Sequence, residues 1–194
     1  MPPHLILVRH SAVDRIPGSP ARLWQLSVDG RTRAHQFAPR LLPYQPTRFI
    51  TSQEPKAADT GQIMADALGI PCHIAPGLHE HEREGVPYYD SQEVFITAVE
   101  NFFLHPEELL LGQETAVQTQ TRFTQAVHSA LTSYPDDTLV IAAHGTVITL
   151  FIQQYNPDLN FLVFWRDLTL PAAVVLSLPD FHFITQLRNL ARKR

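Results

Sequence analysis

The side chains that could do chemistry fall in short, widely separated stretches. Arg9, His10 and Ser11 follow the apolar run Leu5-Ile6-Leu7-Val8. Ser52 and Lys56 follow Arg48-Phe49-Ile50-Thr51, and His144, Gly145 and Thr146 follow Thr138-Leu139-Val140-Ile141-Ala142-Ala143. Glu80 stands in a dense charged turn, Leu78-His79-Glu80-His81-Glu82-Arg83-Glu84-Gly85. Each has a plain reading by itself. Arg9 and His10 can be a surface pair where a strand leaves the core, and His144 an imidazole bonded to backbone. Lys56 can be an exposed residue at a helix start, and Glu80 a solvated acid. Together, two cations, two imidazoles and the helix start at Gly145-Thr146 would make a concentrated anion site. An acid hanging over that site is its natural proton donor.

The elements must bring these stretches together. A short, wholly apolar run suits a strand buried on both faces of a parallel sheet. In open α/β sheets, ligands bind past the carboxyl ends of such strands. The runs at 5–8, 48–52 and 138–143 are read as strands, with a short further strand at 72–74. Residues 14–26 carry Pro17, Gly18 and Pro20 and are expected as a loop. Ser27 caps a helix with Asp29 in its first turn, expected to run to about Leu42, before Pro43. A second helix carries Ala57, Ala58, Thr60, Ile63, Met64, Ala67 and Leu68, and Gly69 and Pro71 stop it. Thr115 caps a third helix over about 116–133, and a fourth spans 147–155. Strands at 172–178 and about 183–187, joined by Pro179-Asp180, are expected to pair antiparallel at one sheet edge. Strand, polar turn and helix alternate, which argues for an α/β fold. The expected architecture is a three-layer sandwich: a mostly parallel sheet, helices on both faces and an antiparallel edge strand.

Residues 78–112 break the alternation and are read as a helical cap excursion. Its helix starts after Ser91 and ends at Pro106. The stripe Phe95, Phe102 and Phe103 is expected to pack that helix rather than cage a substrate. Tyr88 and Tyr89 are candidates for the pocket mouth. His79, Glu80 and His81 lack a further ligand cluster, so no metal site is expected.

The chain has 194 residues, 44% of them hydrophobic and 18% charged, which suits one folded domain, 1–194. A formal net charge of −4 gives no broad pull toward nucleic acid or anionic membrane. Any anion site must be local. Cys72 is the one cysteine, which fits a reduced, cytoplasmic protein. The N-terminal apolar run is too short for a signal peptide or a membrane span. The basic tail at 188–194 is read as a solvated end. No repeat, low-complexity segment or dividing linker is evident.

In chain order, these stretches resemble the histidine phosphatase superfamily, also called phosphoglycerate-mutase-like. That family has an Arg-His-Gly turn after its first strand, then Ser-x-x-x-Arg-Ala-x-x-Thr, a Leu-x-Glu turn and a late His-Gly. Here the corresponding residues are Arg9-His10-Ser11, then Ser52-Gln53-Glu54-Pro55-Lys56-Ala57-Ala58-Asp59-Thr60, Leu78-His79-Glu80 and His144-Gly145. Leu26-Ser27-Val28-Asp29-Gly30 resembles the family's Leu-Thr-x-x-Gly helix start.

The resemblance implies a phosphatase that hydrolyses a phosphomonoester through a phosphohistidine on His10. Arg9, Lys56 and His144 would hold the phosphoryl oxygens, with Ser11, Gly145 and Thr146 lining the site. Glu80 would protonate the leaving oxygen and then activate water, with Glu82 and Glu84 as rivals for that role. No cofactor or metal is implied. The partner is a small-molecule phosphomonoester or a phosphoprotein, with no nucleic acid and no membrane, and a homodimer is compatible. Lys56 stands where the family has arginine, which keeps the charge and loses the planar fork. Ser11 replaces glycine, and Ala12-Val13 replaces the frequent Glu-Thr. The Trp and Asn of mutase-like members are missing, so a phosphoglycerate mutase is not expected. The alternative is a catalytically weak or inactive regulator of the same fold that binds a phosphorylated ligand.

Overall fold

The apolar run at 5–8 alternates between two cores. In the computed structural model, which describes residues 3–86, 88–89 and 91–189, strand β1 spans His4–Arg9. Leu5 and Leu7 enter one core and Ile6 and Val8 the other. A strand with both faces buried has no polar side to spare, which is why the run is continuous. Arg9 and His10 therefore stand where the apolar run ends.

Helix α1 (Val28–Phe37) is capped by Ser27, whose side chain accepts the Gly30 N–H. A Cβ on Gly30 would lie 2.0 Å from the Ala12 carbonyl oxygen. Glycine therefore lets α1 press on the backbone just after His10-Ser11. The α-helix stops five residues short of the expected end, and 3-10 geometry covers Ala38–Tyr44. Pro39 and Pro43 explain this, since each removes a donor that a regular ladder needs. Strand β2 (Arg48–Thr51), helix α2 (Pro55–Leu68) and strand β3 (Cys72–Ile74) follow as expected, and Gly69 ends α2 in left-handed geometry at φ 67°. Within the expected loop at 14–26, Ala21–Leu23 form a single 3-10 turn.

Helix α3 (Gln92–Leu104) occupies the excursion, capped by Ser91. Phe102 and Phe103 are buried in a small core with Leu150 and Trp165. Helix α4 (Ala116–Ser133) opens with a capping box between Thr115 and Gln118. Strand β4 (Leu139–Ala143) is buried throughout and runs straight into α5 (Gly145–Tyr155). Helix α6 (Phe161–Asp167) has no counterpart in the sequence reading. Its Phe-Leu-Val-Phe-Trp run shows no amphipathic period, and only the Asn160 cap, which accepts the Val163 N–H, marks its start. Strands β5 (Ala172–Ser177) and β6 (Phe183–Arg188) finish the sheet.

The sheet order is β3-β2-β4-β1-β5-β6. The first four strands are parallel, and β5 runs antiparallel to both β1 and β6. The reversed strand thus lies one place in from the edge, with β6 outermost. Helices α1 and α2 cover one face, through Phe37 and Met64. Helices α4, α5 and α6 cover the other, through Phe123, Phe151 and Phe164. No helix among the described residues is long and apolar enough to cross a membrane. Residues 190–194 of the basic tail lie outside the described residues.

Candidate active site

Register brings the separated stretches together. Arg9 pairs with Ala143 across β1 and β4, and Thr51 pairs with Ala142 across β2 and β4. The three strands therefore end level. Beyond them the His10 N–H donates to the Ala143 carbonyl at 3.0 Å, and the Ser52 N–H donates to the Ala142 carbonyl at 2.9 Å. His10 and His144 are left side by side, ring centroids 5.3 Å apart.

His10 is fixed by its own turn. Its Nδ1 lies 2.8 Å from the Ser11 carbonyl oxygen. A carbonyl can only accept, so Nδ1 carries the proton and Nε2 keeps its lone pair. The turn is anchored from α2: the Ser11 N–H donates to Thr60 Oγ1 at 3.0 Å, and Thr60 Oγ1 donates to the Lys56 carbonyl at 2.7 Å. Burial, then the neighbouring His144, Lys56 and Arg9, hold His10 well below the usual histidine range. It is neutral at pH 7. His144 is completely buried, with Nε2 2.9 Å from Ser52 Oγ. Burial and the Lys56 charge keep it neutral as well.

The cations surround this pair. Burial lowers Arg9 to about 10, which leaves it charged at neutral pH. One of its terminal nitrogens donates to the Leu168 carbonyl. A Cβ on Gly145 would meet Arg9 Nε at 3.1 Å, so glycine there lets the guanidinium lie against the start of α5. Lys56 is buried, not an exposed helix-start residue. Its ammonium donates to the Ala21 carbonyl at 2.8 Å and pairs with the Glu54 carboxylate.

Glu80 reaches the same place from the excursion. Its Oε2 accepts the Thr146 N–H and its Oε1 the Val147 N–H, both at 3.2 Å. The carboxylate thus occupies the N-terminus of α5, where partial positive charge favours an anion. Burial pushes the Glu80 carboxyl up, but its bond with His81 and the charge of Arg83 outweigh this. It is held well below the usual carboxylate range, as an ionised group. Four polar atoms of the site, Arg9 Nε, Ser11 Oγ, His144 Nδ1 and Thr146 Oγ1, are buried with no hydrogen-bond partner among the described residues.

The model of the histidine phosphatase superfamily, branch 1, matches residues 5–178. The chain belongs to that superfamily. Solved structures agree on the fold. A mycobacterial glucosyl-3-phosphoglycerate phosphatase complexed with VO3 superposes with a TM-score of 0.73 at 21% identity, covering 96% of this chain and 100% of its own. YhfR of Bacillus stearothermophilus gives 0.70 at 20% identity, covering 94% of both chains. A mutant phosphoserine phosphatase from Entamoeba histolytica, in complex with phosphoserine, gives 0.69 at 17% identity, covering 93% of both chains. The comparison with curated proteins returned no match.

Against the superfamily pattern, three residues of this site had no assigned role in the sequence reading. Glu54 is 9% exposed. Its Oε1 accepts the Glu80 N–H at 2.9 Å and lies 3.8 Å from His144 Nε2, while Oε2 pairs with Lys56. An acid two residues from Lys56, just before Pro55, was the available signal. Arg83 lies 3.4 Å from Glu80 Oε2. Arg122, on α4, reaches the turn from behind and donates to the carbonyls of Gly77, His79 and Glu80. Nothing in the local sequence marks it. Glu82 and Glu84, the rivals to Glu80, point elsewhere: Glu84 pairs with Arg22 at 3.9 Å and Glu82 lies 3.5 Å from His79. His79, Glu82 and Glu114 bring ligand atoms within 4.8 Å of one another, but Glu114 is already paired with Arg122. Tyr88 meets Trp24 with ring centroids 6.4 Å apart, which joins the excursion to the loop after β1.

The buried histidines predict acid sensitivity. His81 is stacked on Phe102 at 4.5 Å, and burial followed by Arg83 lowers it to about 4. Between pH 6.5 and 4 the unfolded state then holds more protons than the folded one. Stability is full above pH 6.5 and falls as the pH drops toward 4. His81 alone contributes a loss on the order of 3 kcal/mol, from 1.36 kcal/mol per pH unit. His10 and His144 act in the same direction. Urea unfolding at pH 7 and pH 4.5 should show this loss, and His81→Phe should flatten part of it. An equal slope in both proteins would rule out His81 as a source.

Proposed function

We propose that this protein hydrolyses phosphomonoesters through a phosphohistidine on His10. The observation that carries the reading is the His10 turn. A neutral imidazole, locked by the Ser11 carbonyl so that only Nε2 has a free lone pair, faces a second imidazole and is flanked by Arg9 and Lys56. That is a nucleophile beside cations suited to a phosphoryl group. The four unpartnered polar atoms of the site fit a ligand rich in acceptor oxygens, since buried polar groups are ordinarily paired.

In the first step His10 Nε2 bonds to phosphorus and the ester P–O bond breaks. The departing oxygen takes a proton from Glu80. In the second step the Glu80 carboxylate takes a proton from water, the resulting oxygen bonds to phosphorus, and the P–N bond breaks. Glu80 is ionised before substrate arrives, so its proton must come with the substrate. A phosphoryl group beside it does this, because a second negative charge raises the affinity of a carboxylate for protons. Arg9, His144 and the N–H groups of Thr146 and Val147 offset the charge on the phosphoryl oxygens. Each of these acts without a metal.

Small phosphomonoesters are the first substrates to try. The named activities of the solved neighbours, glucosyl-3-phosphoglycerate phosphatase and phosphoserine phosphatase, fall in that class. One observation favours the regulator reading: the Lys56 ammonium is already bound by Glu54 and Ala21. Acid and base quenching separate the two. Incubation with 32P-labelled monoesters should trap a protein-bound label that is labile to acid and stable to base. A panel of esters that yields neither label nor free phosphate, with inorganic phosphate still bound, would leave the protein a binder.

A further inference from the structure

Arg83 is a charged group of the site that the reaction above leaves unused. Its guanidinium is held on three sides. Nε donates to His81 Nε2 at 3.0 Å, the plane lies over the Phe95 ring at 5.2 Å, and a terminal nitrogen lies 3.4 Å from Glu80 Oε2. Glu80 Oε2 in turn accepts the Thr146 N–H. Arg83 therefore stands one carboxylate away from the backbone donors at the start of α5. His81 suits its part, since a buried, neutral imidazole accepts the Nε–H without competing for the terminal nitrogens. Lys56 is poorly placed to grip an anion in two prongs. It has three N–H donors, and two of its partners are already within the protein.

We propose that Arg83 is the second guanidinium of the phosphoryl site, paired with Glu80 at rest and turned onto the phosphoryl oxygens when the substrate displaces the Glu80 carboxylate. The proposal rests on the phosphomonoester reading of the site. It assigns the cap excursion a direct part in anion binding. It also links binding to proton transfer: a Glu80 that loses Arg83 to the substrate loses a stabilising positive charge and takes up a proton more readily. A planar fork holding two oxygens of one phosphoryl group supplies geometry that an ammonium does not.

The test measures binding and turnover separately. Dissociation constants for inorganic phosphate and orthovanadate are determined by calorimetry on the wild type, Arg83→Gln and Arg83→Lys, beside turnover of p-nitrophenyl phosphate. Arg83→Gln is expected to weaken both anions by about tenfold or more, and Arg83→Lys to recover only part of that loss. If Arg83→Gln does not fold, Arg83→Lys decides by the same measure. Unchanged anion affinity in a folded Arg83→Gln protein overturns the proposal. So does full recovery by lysine, or a rise in KM confined to esters that carry a second anionic group. Arg83-dependent anion binding without turnover of any ester would keep Arg83 in the site and remove the hydrolysis reading. A wild type that binds neither anion removes both.

Discussion

A His10→Ala protein is expected to yield no trapped phosphoenzyme and to lose at least about a thousandfold in turnover, the loss expected when a covalent route is removed. The protein should stay folded. His10 is a buried imidazole beside His144, Lys56 and Arg9, all of which disfavour its charged form. Removing it relieves that arrangement, and no other described side chain depends on its ring for a hydrogen bond. Anion binding should also survive, because Arg9 and the N–H groups of Thr146 and Val147 remain. The comparison is therefore clean: urea unfolding near the wild-type midpoint, phosphate affinity within a few-fold, and the chemistry gone. A His10→Ala enzyme that keeps a tenth of the wild-type turnover would remove the phosphohistidine route.

The second large effect is expected at Arg122, far from His10 in sequence. Nε and a terminal nitrogen hold the two oxygens of Glu114 at 2.8 and 2.7 Å. The remaining donors go to the carbonyls of Gly77, His79 and Glu80 at 2.8, 3.0 and 3.2 Å. All five guanidinium N–H groups are thus committed to one turn. Side chains on both ends of the ion pair are less than a fifth exposed. Arg122→Met leaves Glu114 without a counter-charge and three carbonyls without donors, at a cost of about 3–5 kcal/mol. The turn that carries Glu80 would also shift, and a misplacement of about 1 Å can cost on the order of a hundredfold in rate. Urea unfolding and kcat, measured on one preparation, check both parts. A loss below about 1 kcal/mol with an unchanged kcat would show that the turn is held by something else.

Much of the sheet and of the reactive edge was legible in the residues. The run at 5–8 gave β1 because a strand buried twice must be apolar throughout, and Arg9-His10 marked its end. Ser27, Ser91 and Thr115 announced their helices because a hydroxyl just before a helical run can accept a free N–H of the first turn. Helix α6 was not legible, since Phe161–Asp167 lacks a polar face and its cap is a lone Asn160. The state of the site was hidden for another reason. Glu80 is a carboxyl in a loop until Thr146, Val147 and Arg83 are brought to it, and only then is it fixed as an anion. The pairing of Lys56 with Glu54 has the same character: two charges two residues apart at a helix start usually point into water. Here the Ala21 carbonyl and the Glu80 N–H draw them inward. Arg122 shows the limit most plainly, because its partners lie between eight and forty-five residues away.

The strand order has a consequence for how the chain acquires its shape. β1 leaves the N-terminus first, but its two neighbours, β4 and β5, begin at Leu139 and Ala172. β2 likewise lacks its inner partner until β4 exists. During synthesis the first strand must wait for more than half the chain before it can pair, and closing loops of that length precedes any gain from contacts. A nascent chain stopped before residue 139 holds His10, Lys56, Glu80 and Arg83, but lacks the strand that joins β1 to β2. β4 is the keystone between β1 and β2, and the stretches that carry His10, Lys56 and His144 cannot be aligned before it is in place.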